Sequence, residues 1–224
     1  MRKNIEEFEK EIGYTFHNKK LLENALTHTS YAYEHDVKSN ERLEYLGDSI
    51  LEFVSSEWLF INYDNLTEGE MTKVRATAVC ENSLFEIAKK HNFSDFLFLG
   101  KSEKANHNIK KAILADSVEA VIAAIYLDSG LGPTKKFIID NLRETIENAS
   151  HHAGDKDYKT VLQEKLQIHG DVKIAYTIVK EEGPDHDKKF TAKVEADGKE
   201  LAYGKGKSKK LAEMDAARIA LENL

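Results

Sequence analysis

The sequence predicts two domains in series, an all-α domain followed by a smaller α+β domain of order α-β-β-β-α. Three observations lead there. Apolar residues recur at steps of three and four up to about residue 150, and the period falls to two beyond about residue 170. A small, polar stretch, Asn148 to Asp155, separates the two regimes. The charge balance changes at the same place: residues 1–154 carry 18 Lys and Arg against 25 Asp and Glu, while residues 155–224 carry 14 of each. The net charge of −7 therefore belongs wholly to the first part.

In the first domain, taken as 1–150, Leu43, Leu46, Ile50 and Val54 mark one amphipathic helix. Leu84, Ile87 and Ala88 mark another, and Phe137, Ile138 and Leu142 a third. Asn40 or Ser39 is placed to cap the first of these. A nearly all-apolar helix runs from Ala112 to Leu127, and a linker is expected over 151–156. The second domain, 157–224, opens with an amphipathic helix from Asp157 to His169 that Gly170 can close. Val172 to Val179 is rich in β-branched and aromatic residues, and Gly183-Pro184-Asp185 turns the chain. Phe190, Ala192, Val194 and Ala196 alternate with polar residues, and Asp197-Gly198 is a two-residue hairpin signal before Lys199 to Gly204. Ser208 suits the N-cap of a last helix, Lys209 to Leu224. Connections this short make the sheet antiparallel.

Composition narrows the class. Of 224 residues, 41% are hydrophobic and 32% charged, with two prolines, which excludes disordered and fibrous chains. No apolar run approaches the ~20 residues of a membrane span, and the start, with Glu6 and Glu7, does not read as a signal peptide. A cytoplasmic protein without a membrane partner is expected. The single cysteine, Cys80, permits neither an internal disulfide nor a thiolate cluster, and reads as a core filler in an apolar helix.

The acids carry the chemistry. With Glu41 at zero on a helical wheel, Glu44 falls near about −60°, Asp48 near about −20° and Glu52 near about +20°, opposite the apolar face. Such a stripe can be a solvated surface, although like charges at i, i+3 and i+4 oppose one another. In the helix from Ala112 to Leu127 every residue except Asp116, Ser117 and Glu119 is apolar or aromatic, so a solvated face is hard to arrange there. Buried carboxylates must be paired or hold metal. Pairing with Lys73, Arg75 or Lys111 is one solution. The other is convergence of Glu44 and Asp48 with Asp116 and Glu119, an all-oxygen set suited to Mg²⁺, with Mn²⁺ able to substitute. A di-iron bundle would use Glu-x-x-His, which the sequence lacks. Such Mg²⁺ sites complete their shell with water and substrate phosphates, so the substrate class is a phosphoester. No small organic cofactor is expected.

The second domain concentrates five lysines against one acid between Lys199 and Lys210. Lys209 and Lys210 open the last helix, where backbone N–H groups and the dipole also favour phosphate. With Gln163 and Gln167 at i and i+4 on the first helix, and His186 in the turn after Pro184, these lysines make three patches. That set suits an A-form duplex read by shape.

Two motifs match a known family. Asn40-Glu41-Arg42-Leu43-Glu44-Tyr45-Leu46-Gly47-Asp48-Ser49 resembles the signature of the ribonuclease III family. Residues 155–224, with Gly183-Pro184-Asp185-His186 and Lys209-Lys210-Leu211-Ala212-Glu213, resemble a double-stranded-RNA-binding domain. The resemblance implies metal ligation by Glu44, Asp116 and Glu119, and action of Asp48 on the attacking water or the coordination shell. It makes Glu41 and Glu68 supporting catalytic acids. Gln163, Gln167 and His186 would contact the minor groove, Lys209 and Lys210 phosphates, and Tyr45 a socket on the partner of a symmetric homodimer. Each of two sites would cut one strand of double-stranded RNA, leaving a 5′-phosphate, a 3′-hydroxyl and a short 3′ overhang, in ribosomal RNA precursors and other structured transcripts. His28-Thr29-Ser30-Tyr31 also resembles the family and reads as structural. Competing functions are an RNA-binding protein whose acidic domain only dimerises, and a helical nucleotide pyrophosphohydrolase, which leaves the second domain without a purpose.

Overall fold

The computed structural model describes residues 4–105, 109–151, 158–168, 170–184 and 188–224, which fall into two compact units, Met1–Gly154 and Asp155–Leu224. The first is helical: α1 (Ile5–Ile12), α2 (Lys19–Ala25), α3 (Thr29–His35), α4 (Glu41–Asn62), α5 (Glu68–Ala78), α6 (Glu81–Lys90), α7 (Lys101–Ala105), α8 (Lys111–Ser129) and α9 (Leu131–His151). A 3₁₀ turn, Phe93–Asp95, lies between α6 and α7.

Helix α8 is the axis of this unit. Its residues from Ile113 to Ile125 are buried except Asp116 and Glu119, and α2, α4, α6 and α9 pack around it. Both ends of the span depart from the expected all-round burial, with Ala112 exposed at its start and Tyr126 and Leu127 in its last turn. Helix α4 meets α8 without a side chain between them: a Cβ on Gly47 would lie 1.9 Å from the backbone oxygen of Glu119. At the other end of α8, Asp128 accepts hydrogen bonds from the Tyr14 hydroxyl at 2.7 Å and from the backbone N–H groups of His17 at 3.0 Å and Asn18 at 2.8 Å. Burial alone would raise this carboxyl, but those donors hold it well below the usual carboxylate range.

Three local expectations change. The polar Asn148-Ala149-Ser150, read as the start of the linker, continues α9 to His151, with the Ser150 hydroxyl donating to the Glu147 carbonyl at 2.7 Å. Residues 152–156 of the expected linker lie outside the described residues. Helix α4 begins after Asn40 as expected, yet Asn40 makes no side-chain cap bond. The Asn40 backbone is helical (φ −79°, ψ −8°) rather than extended as at a capping residue, its N–H donates to the Thr27 carbonyl at 2.8 Å, and the Ser39 hydroxyl donates to Glu41 at 2.8 Å. Cys80 is half-buried at the N-cap of α6, its Sγ donating to the Thr77 carbonyl at 3.2 Å, and is no helix-interior filler.

The second unit runs α10 (Tyr158–Gln167), β1 (Ile174–Glu182), β2 (Lys189–Ala196), β3 (Lys199–Gly206) and α11 (Lys209–Glu222), the expected α-β-β-β-α order. Its sheet is antiparallel in the order β1-β2-β3. Asp197 (φ 50°) and Gly198 (φ 79°) form the predicted two-residue turn, both in the left-handed region that a type I′ hairpin requires. Ser208 caps α11 by accepting from the Leu211 N–H at 3.2 Å. Ala212, Ala216, Ala217 and Ala220 pack α11 closely on the sheet, so closely that a Cβ on Gly204 would lie 1.9 Å from the Ala216 nitrogen.

The contact at Gly47 sets the position of every α4 acid relative to α8. Gly47→Ala must push two backbones apart and is expected to cost about 3 kcal/mol, read as a fall in the urea unfolding midpoint of the full chain. An unchanged midpoint would show that the helices can separate freely.

Candidate functional site

Helix α4 brings Glu44 to α8, where Asp116 and Glu119 follow each other at i and i+3 on one face. One carboxylate oxygen from each of the three lies within 4.8 Å of the others. All three side chains are half-buried, and among the described residues none has an ion-pair or hydrogen-bond partner. Three carboxyl groups are thus gathered in a partly dry place without a cationic partner among the described residues. Burial first, then the charges of Asp48, Asp116 and Glu44, push the Glu119 carboxyl up to about 8. Burial, with Asp116, Glu41 and Asp48 behind it, also raises Glu44. Asp116 is raised by burial and by Glu81, with His28 acting in the opposite sense. An all-carboxylate set without nitrogen or sulfur fits a hard divalent cation, which would remove the repulsion.

The other acids of the α4 stripe have separate surroundings. Asp48 is exposed at the rim, outside the three-oxygen group, although its charge reaches Glu44 and Glu119. Glu41 is exposed and accepts from the Ser39 hydroxyl at 2.8 Å. Glu52 pairs with Arg75 at 2.7 Å, and Arg75 also donates to the Ser56 hydroxyl at 2.7 Å. The salt-bridge alternative therefore applies to Glu52 and leaves the cluster alone. Lys111 lies with its ammonium 5.3 Å from the centre of the Phe85 ring. Glu68 sits exposed in the first turn of α5, accepting from the Thr72 hydroxyl at 3.3 Å, while Glu70 completes the capping box with Thr67.

Two neighbours of the cluster escaped the sequence reading as site residues. The His28 Nδ1 caps α3 by accepting from the Ser30 N–H at 3.2 Å. Burial lowers its imidazole despite the carboxylates of Glu103 and Asp116. Glu81, at the start of α6, is felt by Asp116. The motif His28-Thr29-Ser30 was the available signal for the first; nothing local marks the second. Tyr45, beside Glu44, is 79% exposed, and Phe53 and Phe60 of the same helix are exposed as well.

In the second unit Gln163 and Gln167 stand exposed on one face of α10, with the Gln163 amide donating to Gln167 at 3.4 Å. Lys209 and Lys210 are exposed at the start of α11, and Lys209 lies 3.0 Å from Glu181. His186 lies outside the described residues.

The chain is similar to proteins of one kind throughout. A family model described as ribonuclease-III-like matches residues 18–146, and one described as double-stranded RNA binding motif matches residues 158–224. Ribonuclease 3 of Clostridium kluyveri is 47% identical over 222 residues, 98% of this chain and 91% of its own. Ribonuclease 3 of Streptococcus thermophilus is 47% identical over 225 residues, 98% of this chain and 97% of its own. A solved nuclease domain of ribonuclease III from Campylobacter jejuni, described as flexible in a region involved in dimer formation, is 38% identical. It covers 63% of this chain and 98% of its own, with a TM-score of 0.60.

The carboxyl of Glu119 makes the cluster a pH-dependent burden. It keeps its proton to about 8 in the folded chain, against 4.5 for an ordinary glutamate. Between those values the folded state binds more protons than the unfolded one, so stability falls as pH rises through that window and levels off above it. The melting temperature of the metal-free chain, followed in EDTA, is expected to drop from about pH 5 to about pH 8, and Glu119→Gln to flatten that drop. An equally steep drop in the variant would mean that the burden lies on another group.

Proposed function

The chain belongs to the ribonuclease III family, as an endoribonuclease acting on double-stranded RNA, and from that premise we propose that Glu44, Asp116 and Glu119 hold Mg²⁺ for phosphodiester hydrolysis. One observation carries the proposal: three carboxylate oxygens within 4.8 Å of one another, without a cationic partner among the described residues. Mn²⁺ offers the same hard acceptor and can substitute. When bound, the metal polarises a phosphoryl oxygen and lowers the pKa of water.

The protein's own groups do the rest. Glu44 on α4 and Asp116 with Glu119 on α8 belong to a scaffold that fixes their separation before substrate arrives, the preorganisation on which electrostatic catalysis depends. Asp48, exposed at the rim, accepts a hydrogen bond from the attacking water and orients it. Glu41 and Glu68, both exposed, support the reaction beside the scissile strand. The products are a 5′-phosphate and a 3′-hydroxyl. Short 3′ overhangs follow if two copies each cut one strand, and the exposed Tyr45 on α4 supports a homodimer. Residues 1–150 serve as the catalytic domain and 157–224 as the RNA-gripping domain, with Gln163, Gln167 and His186 on the minor groove and Lys209 and Lys210 on phosphates. Ribosomal RNA precursors and other structured transcripts in the cytoplasm are the natural substrates. No helix among the described residues is long and apolar enough to cross a membrane.

Glu119→Gln and Asp116→Asn are each expected to lower cleavage of labelled duplex RNA by more than the ~10–100-fold that outer-shell changes cost, while leaving the duplex bound. The wild-type chain should cut only with Mg²⁺ or Mn²⁺ present. Undiminished cutting by either variant would refute the ligand assignment. A second measurement concerns grip: Lys209→Gln is expected to weaken duplex binding and to reduce the slope of log affinity against log salt by about 1, whatever the RNA sequence.

A further inference from the structure

The basic start of α11 is not left to solvent alone. Lys209 Nζ lies 3.0 Å from a carboxylate oxygen of Glu181, near the end of β1, and 5.8 Å from the centre of the Phe190 ring. The next residue, Glu182, holds Lys180 at 2.8 Å, and its carboxyl is lowered by that lysine, with Lys205 and Lys189 adding to the effect. Successive strand residues face opposite sides of a sheet, so β1 sets Glu181 against the basic start of α11 while Glu182 answers Lys180 on the other face.

A lysine ammonium treats a carboxylate oxygen and a phosphate oxygen alike, as an anionic acceptor met by a point charge. Lys209 is 61% and Glu181 43% exposed, so an RNA strand can reach the lysine without unfolding anything. We infer that Glu181 is an internal competitor for the phosphate at Lys209: binding RNA there exchanges a carboxylate for a phosphate, and Glu181 sets the strength and salt dependence of the grip. The inference rests on the assignment of Lys209 to phosphate. After the exchange, Glu181 is left beside the incoming phosphate as an unpaired like charge. The Ser208 cap holds the start of the helix independently of Glu181, and the centre of the Phe190 ring lies 5.8 Å from the Lys209 ammonium, so the exchange of partners leaves the helix as it is.

The test measures binding of the full chain to a short duplex RNA by fluorescence anisotropy, in EDTA so that the duplex stays intact. Glu181→Gln keeps the shape and removes the charge. At about 0.1 M salt it is expected to bind about two- to fivefold more tightly, the range spanned by an exposed ion pair, with the salt slope steeper only by whatever part of the single Lys209 contact, about 0.9 in all, Glu181 withholds. Loss of a negative charge anywhere near RNA could give a gain of its own, so the same change is made in a Lys209→Gln background. If Glu181 acts through Lys209, the gain disappears there. Unchanged or weaker binding by Glu181→Gln, or a gain that persists without Lys209, overturns the inference. If Lys209→Gln alone binds as well as wild type, the phosphate assignment itself fails, a result recognisable before the double variant is made.

Discussion

The organisation of the first unit depends on one contact, the backbone of α4 at Gly47 against the backbone of α8 at Glu119. Side chains on either helix would hold the axes apart at ordinary packing distance. Because hydrogen alone stands between them, Glu44 comes close enough to Asp116 and Glu119 for their oxygens to share one small volume. The helix that receives this contact is buried along most of its length, so its position is fixed by apolar packing on several sides. The acids inherit that rigidity. A looser pair of helices would let the carboxylates relax toward water and away from one another, and the proximity on which the proposed metal site rests would be lost.

The two units treat charge in opposite ways. In the first, half-buried carboxylates are gathered without cations among the described residues, and burial with mutual repulsion drives their protons on. A metal bound at these oxygens, as proposed, would compete with their protons, and its uptake would release protons. In the second unit, lysines are answered by acids: Lys159 by Glu213, Lys193 by Glu195 and Glu200, Lys209 by Glu181. One unit gathers acids without cations among the described residues, and the other answers its lysines with acids, the Lys209 pair being exposed on both sides and so weak and easily exchanged. Double-stranded RNA with its counterions is complementary to both.

What could be read beforehand was what local pattern encodes. Asp116 and Glu119 stood out because an apolar helix leaves charges no solvated face, and the stripe of Glu44, Asp48 and Glu52 followed from helical geometry. Asp197-Gly198 announced its turn because few other pairs tolerate two positive φ angles. Tertiary relations were invisible. Glu52 belongs to the same stripe as Glu44 but meets Arg75 from another helix. Glu181 answers Lys209 across 28 positions of sequence. Asn40 is tied by its N–H to Thr27, 13 positions earlier, and makes no side-chain cap bond. Asn148 to Ser150 carry a loop-like composition, yet α9 continues through them. The close approach at Gly47 was hidden inside a motif in which a glycine between a leucine and an aspartate has several explanations.

The anchoring of Tyr14, His17 and Asn18 on Asp128 has a consequence for the order of events during synthesis. The hydrogen bond from the His17 N–H joins residues 111 positions apart. A ribosome adding roughly 5–20 residues per second produces the donors on the order of ten seconds before the acceptor exists. The segment from Tyr14 to Asn18 must therefore wait, without this partner, for nearly all of the helical unit to follow it. Helix α1 can form meanwhile, since Asn4 and Gly13 close its ends locally. Its docking, which sets Phe8 against Phe93 and Phe96, needs residues made earlier than Asp128, so the Asp128 anchor closes a core already under way.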